Sequence, residues 1–183
     1  MKVLGWRRAA WMAALAVSMV LSGCAGTSAI REPESVQAVD RERFLGTWYI
    51  IANVPYFAEK GKVATRVEYV KRSDGRVDDL FYFRRALDEP EQRWSGVAWP
   101  IDASNARWKA RFIWPFTTEF RIVGIDAEYS VALIATPDAK LAWVYARTST
   151  LSSERYEAAL AELRERGVDS DKLVMVPQPP APK

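Results

Sequence analysis

Apolar and polar residues alternate in short segments through the middle of the chain. In residues 65–69, 107–112 and 119–122, every second side chain is uncharged and mostly apolar, and the side chains between them are charged. A period of two predicts β-strands with one buried face and one face in water. Turn-forming sequences separate such segments, for example Ser73-Asp74-Gly75 and Thr136-Pro137-Asp138. The pattern predicts eight strands, at residues 46–54, 64–71, 76–85, 93–100, 106–113, 119–125, 129–135 and 141–147.

Eight closely spaced strands with no helix between them predict an all-β fold, an antiparallel up-and-down β-barrel. One helix is predicted after the last strand, with Ser152 as its N-cap and Gly167 at its end. Its apolar residues form one stripe: Tyr156, Ala159, Leu160 and Leu163. A single stripe predicts a helix packed on the outside of the barrel, followed by a short final strand at residues 172–176. We expect the folded domain over residues 40–176 and a mobile Pro-rich tail at residues 177–183.

The N-terminus has the order of a secretory leader. Lys2, Arg7 and Arg8 precede an uncharged apolar run at residues 9–21, which is too short to span about 30 Å of hydrocarbon. The sequence Leu21-Ser22-Gly23-Cys24 resembles the bacterial lipobox. This resemblance implies a signal peptide at residues 1–23 and a lipidated Cys24. An uncleaved apolar helix with a buried cysteine is the alternative.

Lipidation at Cys24 implies a stable membrane anchor, because several acyl chains bind a bilayer far more firmly than one. Residues 24–39 contain Ser, Glu and Pro without a period, and we expect them to be a flexible tether. Among bacterial lipoproteins, Ala25 rather than Asp after the cysteine implies sorting to the outer membrane. The sequence therefore predicts a protein anchored in the outer membrane and facing the periplasm.

The composition argues against several classes of function. The chain has no histidine and one cysteine, so Ser-His and Cys-His nucleophiles and most zinc sites are excluded, and we expect no metal or cofactor. The net charge of +3 comes from the leader, which leaves the mature chain near neutral and argues against nucleic acid as a partner. Asp78 and Asp79 are adjacent in a predicted strand and should point to opposite faces, so they do not form a catalytic pair. We expect no enzymatic activity.

Three local motifs resemble those of the lipocalin family, closest to the bacterial outer-membrane lipocalins related to apolipoprotein D. They are the segment from Phe44 to Tyr49 with its Gly46-x-Trp48 pattern, the segment from Gly124 to Tyr129 with its Asp126-x-x-Tyr129 turn, and Arg147 at the end of the eighth strand. The resemblance covers residues 40–176, although Ile125 stands where the family usually has threonine.

The resemblance implies that these motif residues are structural. Trp48 would close one end of the barrel and Arg147 would lie on its indole as a cation-π pair, while Gly46 would let the backbone pass close to this stack. A surface arginine paired with a carboxylate is the alternative for Arg147. Lipocalins generally carry small hydrophobic molecules, which implies the same function here.

An inward Trp48 fixes which side chains face the interior of the predicted barrel. The predicted ligand-facing residues are Ile50, Ala52, Trp108, Ala110, Phe112, Phe120, Ile122, Trp143 and Tyr145. At the open end, four basic loop residues are candidates for contacts with an anionic head group: Lys60, Lys62, Arg84 and Arg85. Cations around an apolar mouth suit a fatty acid or a lysophospholipid. The alternatives are solvated loop cations and an aromatic core without a cavity.

A different class of function also fits the sequence. A structural or assembly lipoprotein would hold an envelope partner through its barrel surface, and an exposed Trp99 or Trp114 would favour it. The sequence also leaves open whether the protein forms a homodimer.

Overall fold

The computed structural model describes residues 32–179; the predicted signal peptide, Cys24 and the last four residues lie outside this range. The elements follow one another as α1 (Arg41–Phe44), β1 (Gly46–Asn53), β2 (Val63–Lys71), β3 (Val77–Arg84), β4 (Gln92–Pro100), β5 (Arg107–Arg111), β6 (Thr118–Ile125), β7 (Val131–Ala135), β8 (Ala142–Ala146), α2 (Ser153–Glu165), a 3-10 turn (Ser170–Lys172) and β9 (Val174–Met175).

The strands β1 to β8 form a closed antiparallel barrel. Each strand pairs with the next in the sequence, and β1 pairs with both β2 and β8, which closes the sheet. The short β9 adds to β1 on the outside. The predicted fold is therefore confirmed, and the strand boundaries agree within two residues. The largest differences, of two residues each, are that β5 ends at Arg111 rather than at residue 113, that β7 begins at Val131 rather than at residue 129, and that β9 begins at Val174 rather than at residue 172.

Two separate cores hold this fold together. One fills the barrel, and the other lies between the barrel wall and α2, where Ala159 and Leu163 pack against Val123 and Leu133. Ser152 caps α2 by accepting a hydrogen bond from the Arg155 N–H. Among residues 32–179, no helix combines the length and apolar character needed to cross a membrane.

Both ends of the described chain pack against the barrel. Pro33 is fully buried, and the backbone N–H groups of Val36 and Val39 donate to carbonyl oxygens at Ile122 and Ser104. Residues 32–39 are therefore part of the fold, which corrects the prediction of a flexible tether for this part of residues 24–39. At the other end, Gln178 donates to two strand carbonyl oxygens. The beginning of the Pro-rich tail is thus held as well, against expectation.

Candidate ligand-binding site

The closed end of the barrel is built around Trp48. Its side chain is fully buried, and its Nε1 donates to the Phe44 carbonyl oxygen at 2.8 Å. The Arg147 guanidinium lies 3.6 Å from the centre of the Trp48 ring and donates to the Thr47 carbonyl oxygen. Arg147 thus stacks on the indole and bonds to carbonyl oxygens rather than to a carboxylate. Burial lowers the pKa of Arg147 to about 10, so it stays charged at neutral pH.

The turn between β6 and β7 completes this end. Asp126 accepts hydrogen bonds from the backbone N–H groups of Ser130 and Val131. Burial raises the pKa of Asp126, but these hydrogen bonds and Arg155 outweigh burial and leave the pKa below its usual value. The Tyr129 hydroxyl accepts a bond from the Asp40 N–H at 2.7 Å. Ile125 stands where the family usually has threonine, and its apolar side chain makes no hydrogen bond in the turn. It packs against the barrel core instead.

The barrel interior contains seven of the nine predicted ligand-facing residues. They belong to one buried cluster: Ile50, Trp108, Ala110, Phe120, Ile122, Trp143 and Tyr145. The same cluster includes Val67, Tyr69, Phe81 and Phe83, which alternate along β2 and β3 but were not predicted as ligand-facing. The interior is therefore apolar and aromatic, as the alternation of the strands indicates.

Ala52 does not face the interior, and this prediction is wrong. The pairing of β1 with β8 shifts between Ile50 and Ala52, so Ile51 is an extra residue that reverses the alternation. Ala52 lies opposite Val144 and belongs to the core beneath α2. Asn53 takes the inward register position opposite Trp143.

Phe112 lies on the inner face of the sheet near the mouth, outside the buried cluster of the interior. It follows the end of β5, its side chain is 41% exposed, and its ring lies against Gly96 of β4. A β-carbon at Gly96 would lie 2.9 Å from the Phe112 ring, so this glycine allows the close packing. Phe112 is therefore placed to form part of the rim.

Exposure of the interior side chains increases from the closed end to the mouth. Phe44, Trp48 and Trp108 have no exposed surface, whereas Ala110 and Trp143 each retain 8% and Trp94, near the start of β4, retains 42%. Water thus reaches the interior aromatic residues from the open end. We call the part of the interior above Trp108 the calyx. Its inward side chains include Asp79, Phe81, Ala110, Phe120 and Trp143.

Only one of the four predicted head-group cations lies over the interior aromatic residues. The Lys62 Nζ is 4.6 Å from the ring centres of both Phe83 and Trp94. Burial lowers the pKa of Lys62. Arg84 bonds to carbonyl oxygens of its own loop. Lys60 and Arg85 are exposed.

A carboxylate that was not predicted closes part of the mouth. Glu59, in the loop between β1 and β2, accepts a hydrogen bond from the Trp143 Nε1 at 2.9 Å and another from the Asn53 amide. Tyr56 of the same loop lies edge-on to the Trp143 ring. Burial raises the pKa of Glu59. Sequence alternation gave no signal for Glu59, because it lies in a loop.

A second carboxyl lies deeper, on the inner face of β3. Asp79 is 3% exposed and alternates with Val77 and Phe81, which are also inside. Its neighbour Asp78 points outwards and pairs with Arg72, as the alternation predicts. The Asp79 Oδ1 is buried without a hydrogen-bond partner. Burial, and secondarily the charge of Glu59, raise the pKa of Asp79 to about 7.

The outer surface carries two shallow clefts. One lies beneath α2 around Leu133 and Glu162, and the other lies around Glu34 and Arg166. Neither contains a residue predicted to contact the ligand. Within the described part of the chain, no group of His, Cys, Asp and Glu residues is arranged to hold a metal ion.

Comparisons with known proteins agree with this architecture. A Lipocalin-like domain profile matches residues 39–178. The outer membrane lipoprotein Blc of Citrobacter freundii is 30% identical over 171 residues, covering 93% of this chain and 97% of the relative. The Blc protein of Escherichia coli K12 is 29% identical, covering 92% and 96%. Insecticyanin from Manduca sexta has the same fold, with a TM-score of 0.64 at 16% identity over 81% of this chain and 85% of insecticyanin. By its sequence and its closed eight-stranded barrel, this chain belongs to the lipocalin family.

Proposed function

We propose that this protein is anchored in the outer membrane through a lipidated Cys24, faces the periplasm, and binds small hydrophobic amphiphiles in its calyx. Fatty acids and lysophospholipids are the ligand classes that we favour. The observation that carries this proposal is an apolar, aromatic interior that becomes more exposed towards a mouth with Lys62 beside it. An acyl chain can lie in such an interior while a polar head stays at the rim.

The lining of the calyx supports an acyl chain in particular. Ala110 has a small side chain between Trp108 and Phe112, the residues two positions away along the chain, and keeps some exposed surface. An eight-stranded barrel is wide enough to hold one small ligand. Each buried CH2 group contributes about 0.8 kcal/mol, so even a partly buried chain gives useful affinity.

Calorimetric titration with fatty acids and lysophospholipids of increasing chain length tests the proposal. The affinity should rise with each added CH2 group and then level off when the calyx is full. Ala110→Trp should abolish binding, because the indole would occupy the calyx. Lys109→Trp is the matched control, since Lys109 neighbours Ala110 on β5 but occupies the outward register position. If no member of either series binds the wild type, the proposal is wrong.

The membrane anchor needs its own test. The relatives named outer membrane lipoprotein support the proposed location, as does the lipobox-like sequence that ends at Cys24. Cys24→Ser should release a folded protein into the soluble periplasmic fraction. Sedimentation of this variant with outer membranes after a salt wash would contradict the assignment of the anchor.

A second function is favoured by a different observation. Four large side chains at the mouth end are strongly exposed: Phe57, Ile113, Trp114 and Phe116. Trp114 is 79% exposed, whereas Trp99 is partly buried and lies under Arg111. An apolar rim of this kind suits a protein partner or a second copy of the chain. Sedimentation velocity and in-cell crosslinking, with wild type and Trp114→Ser, distinguish a homodimer, a partner complex and a free monomer.

A further inference from the structure

We propose that, among the amphiphiles that bind in the calyx, those that carry a protonated amino group bind more tightly than acids of the same chain length, because Asp79 binds the amino group. The inference rests on the proposed binding of amphiphiles in the calyx and names the chemistry that this site recognises. The geometry behind it is a carboxyl inside an otherwise apolar barrel, with one oxygen buried and unbonded.

An unbonded buried carboxyl is costly for the protein alone. A carboxylate loses its hydration when it is buried, and this cost is recovered only through hydrogen bonds or an opposite charge. The structure provides neither for the Asp79 Oδ1. Asp79 faces Tyr69 on β2 and Gly96 on β4 in the sheet register, so the neighbouring strands bring no cation to it.

The other titratable groups near Asp79 do not supply a positive charge either. The Tyr69 and Tyr145 hydroxyls are hydrogen-bonded to each other, and the burial of both raises their pKa values well above the usual value. Glu59 and Tyr56, from the loop at the mouth, add a negative charge and a phenol. At the mouth, Lys62 lies over the rings of Phe83 and Trp94. The described interior therefore offers hydrogen-bond acceptors and aromatic faces without a counter-charge at Asp79.

A protonated amine supplies both the hydrogen-bond donors and the positive charge that Asp79 lacks. It brings a positive charge and three N–H donors to a carboxylate, and charge-assisted hydrogen bonds are about twice as strong as neutral ones. Aromatic faces such as those of Tyr69 and Phe81 also attract cations. The rest of the ligand would be an alkyl chain that packs against the apolar wall. A carboxylate at the same depth would be repelled by Asp79, and an alcohol would leave its charge unpaired.

The test compares three probes of equal chain length: dodecylammonium, dodecanol and dodecanoate. We expect the wild type at pH 8 to bind dodecylammonium at least about tenfold more tightly than dodecanoate, which corresponds to about 1.4 kcal/mol. Asp79→Asn should lose this preference and still bind dodecanol. Asp78→Asn is the matched control, because Asp78 is the outward neighbour and pairs with Arg72. It should keep the preference of the wild type.

A second measurement needs no variant. Because burial raises the pKa of Asp79 to about 7, most of this carboxyl should be protonated at pH 6 in the free protein, and binding of an ammonium ion should release its proton. Calorimetry in buffers with different ionisation enthalpies counts this proton. We expect release with dodecylammonium at pH 6 and almost none with dodecanol.

The outcomes separate the two proposals. If none of the probes binds the wild type, the proposed function fails. If all bind but the acid binds as tightly as the amine, or if Asp79→Asn keeps the preference, or if no proton is released, the role of Asp79 is wrong while the binding function stands. Lysophosphatidylethanolamine and lysophosphatidylglycerol with the same acyl chain then show whether a lipid head group can supply the amine. A preference for the ethanolamine form that Asp79→Asn removes identifies a lipid source, and its absence indicates a free amine.

Discussion

The two ends of the barrel differ in how their buried charged side chains are bonded. At the closed end, Arg147 stacks on Trp48 and donates to backbone carbonyl oxygens, and Asp126 accepts several hydrogen bonds. Arg41 at this end donates from Nη2 to the Gly75 carbonyl oxygen, although its Nε has no partner. In the calyx, Asp79 has a buried oxygen without a partner, and at the rim Trp114 is largely in water. Hydrogen bonds to buried polar groups stabilise a fold, whereas buried polar groups without a partner are tolerated mainly where function requires them. The closed end thus serves stability, and the open end is where we place binding.

The largest effect that we predict is at the closed end. Trp48→Ala should reduce the free energy of unfolding by about 3 to 5 kcal/mol, because it removes a fully buried indole and leaves a cavity. Chemical denaturation of the Cys24→Ser form measures this. An unchanged midpoint would mean that Trp48 does not hold the closed end together.

In the calyx, substitution of Asp79 should increase the free energy of unfolding rather than reduce it. Burial raises the pKa of Asp79 from 3.8 to about 7 in the folded protein. The native state therefore loses stability as the pH rises from 3.8 to about 7. Asparagine at this position does not ionise, so the variant should not lose this stability. We expect Asp79→Asn to be more stable than the wild type by about 2 to 4 kcal/mol at pH 8, with no gain at pH 3.5. Denaturation of both proteins across this pH range, with Asp78→Asn as the control, decides whether Asp79 is an unpaired group.

An intermediate effect is expected from Arg147. Arg147→Ala should cost about 1 to 3 kcal/mol, because it removes the contact with Trp48 and leaves carbonyl oxygens without a donor. Arg147→Lys should recover only part of this loss, since an ammonium group cannot reproduce the planar guanidinium. Equal stability of the lysine variant and the wild type would show that charge alone matters here.

The smallest effect should come from the rim. Trp114→Ser and Phe116→Ser should change the free energy of unfolding by less than about 0.5 kcal/mol, because both side chains are mostly exposed. Thermal unfolding tests this. A loss comparable to that of Trp48→Ala would show that the rim is part of the core, and the contrast between the two ends would disappear.

The sequence predicted the barrel well because alternation is repeated in eight strands and reinforced by turn residues. It predicted α2 for a similar reason, since a good N-cap and an apolar stripe coincide. Ala52 was misplaced because one extra residue at Ile51 reverses the alternation, and nothing in the local sequence marks such a bulge. The packing of residues 32–39 was missed because their backbone bonds to Ser104 and Ile122 depend on the tertiary structure.

The polar part of the site was harder to predict. Asp79 could have been found, because Val77, Asp79, Phe81 and Phe83 share one face of β3 and the alternation alone places the carboxyl inside. Glu59 could not, since its position depends on how the loop between β1 and β2 folds towards Trp143 and Asn53. Sequence periodicity thus gives the wall of the barrel, whereas loop conformation gives the groups at its mouth.

Native mass spectrometry of the Cys24→Ser form, prepared without detergent and loaded with a lipid extract, tests ligand binding in the calyx most directly. We predict that the wild-type barrel carries one additional small molecule per chain and that organic extraction removes it. Ala110→Trp should carry none, and Lys109→Trp should retain it. A wild-type barrel that stays free of any bound molecule after loading, or an Ala110→Trp protein that is loaded equally well, would contradict a ligand site in the calyx.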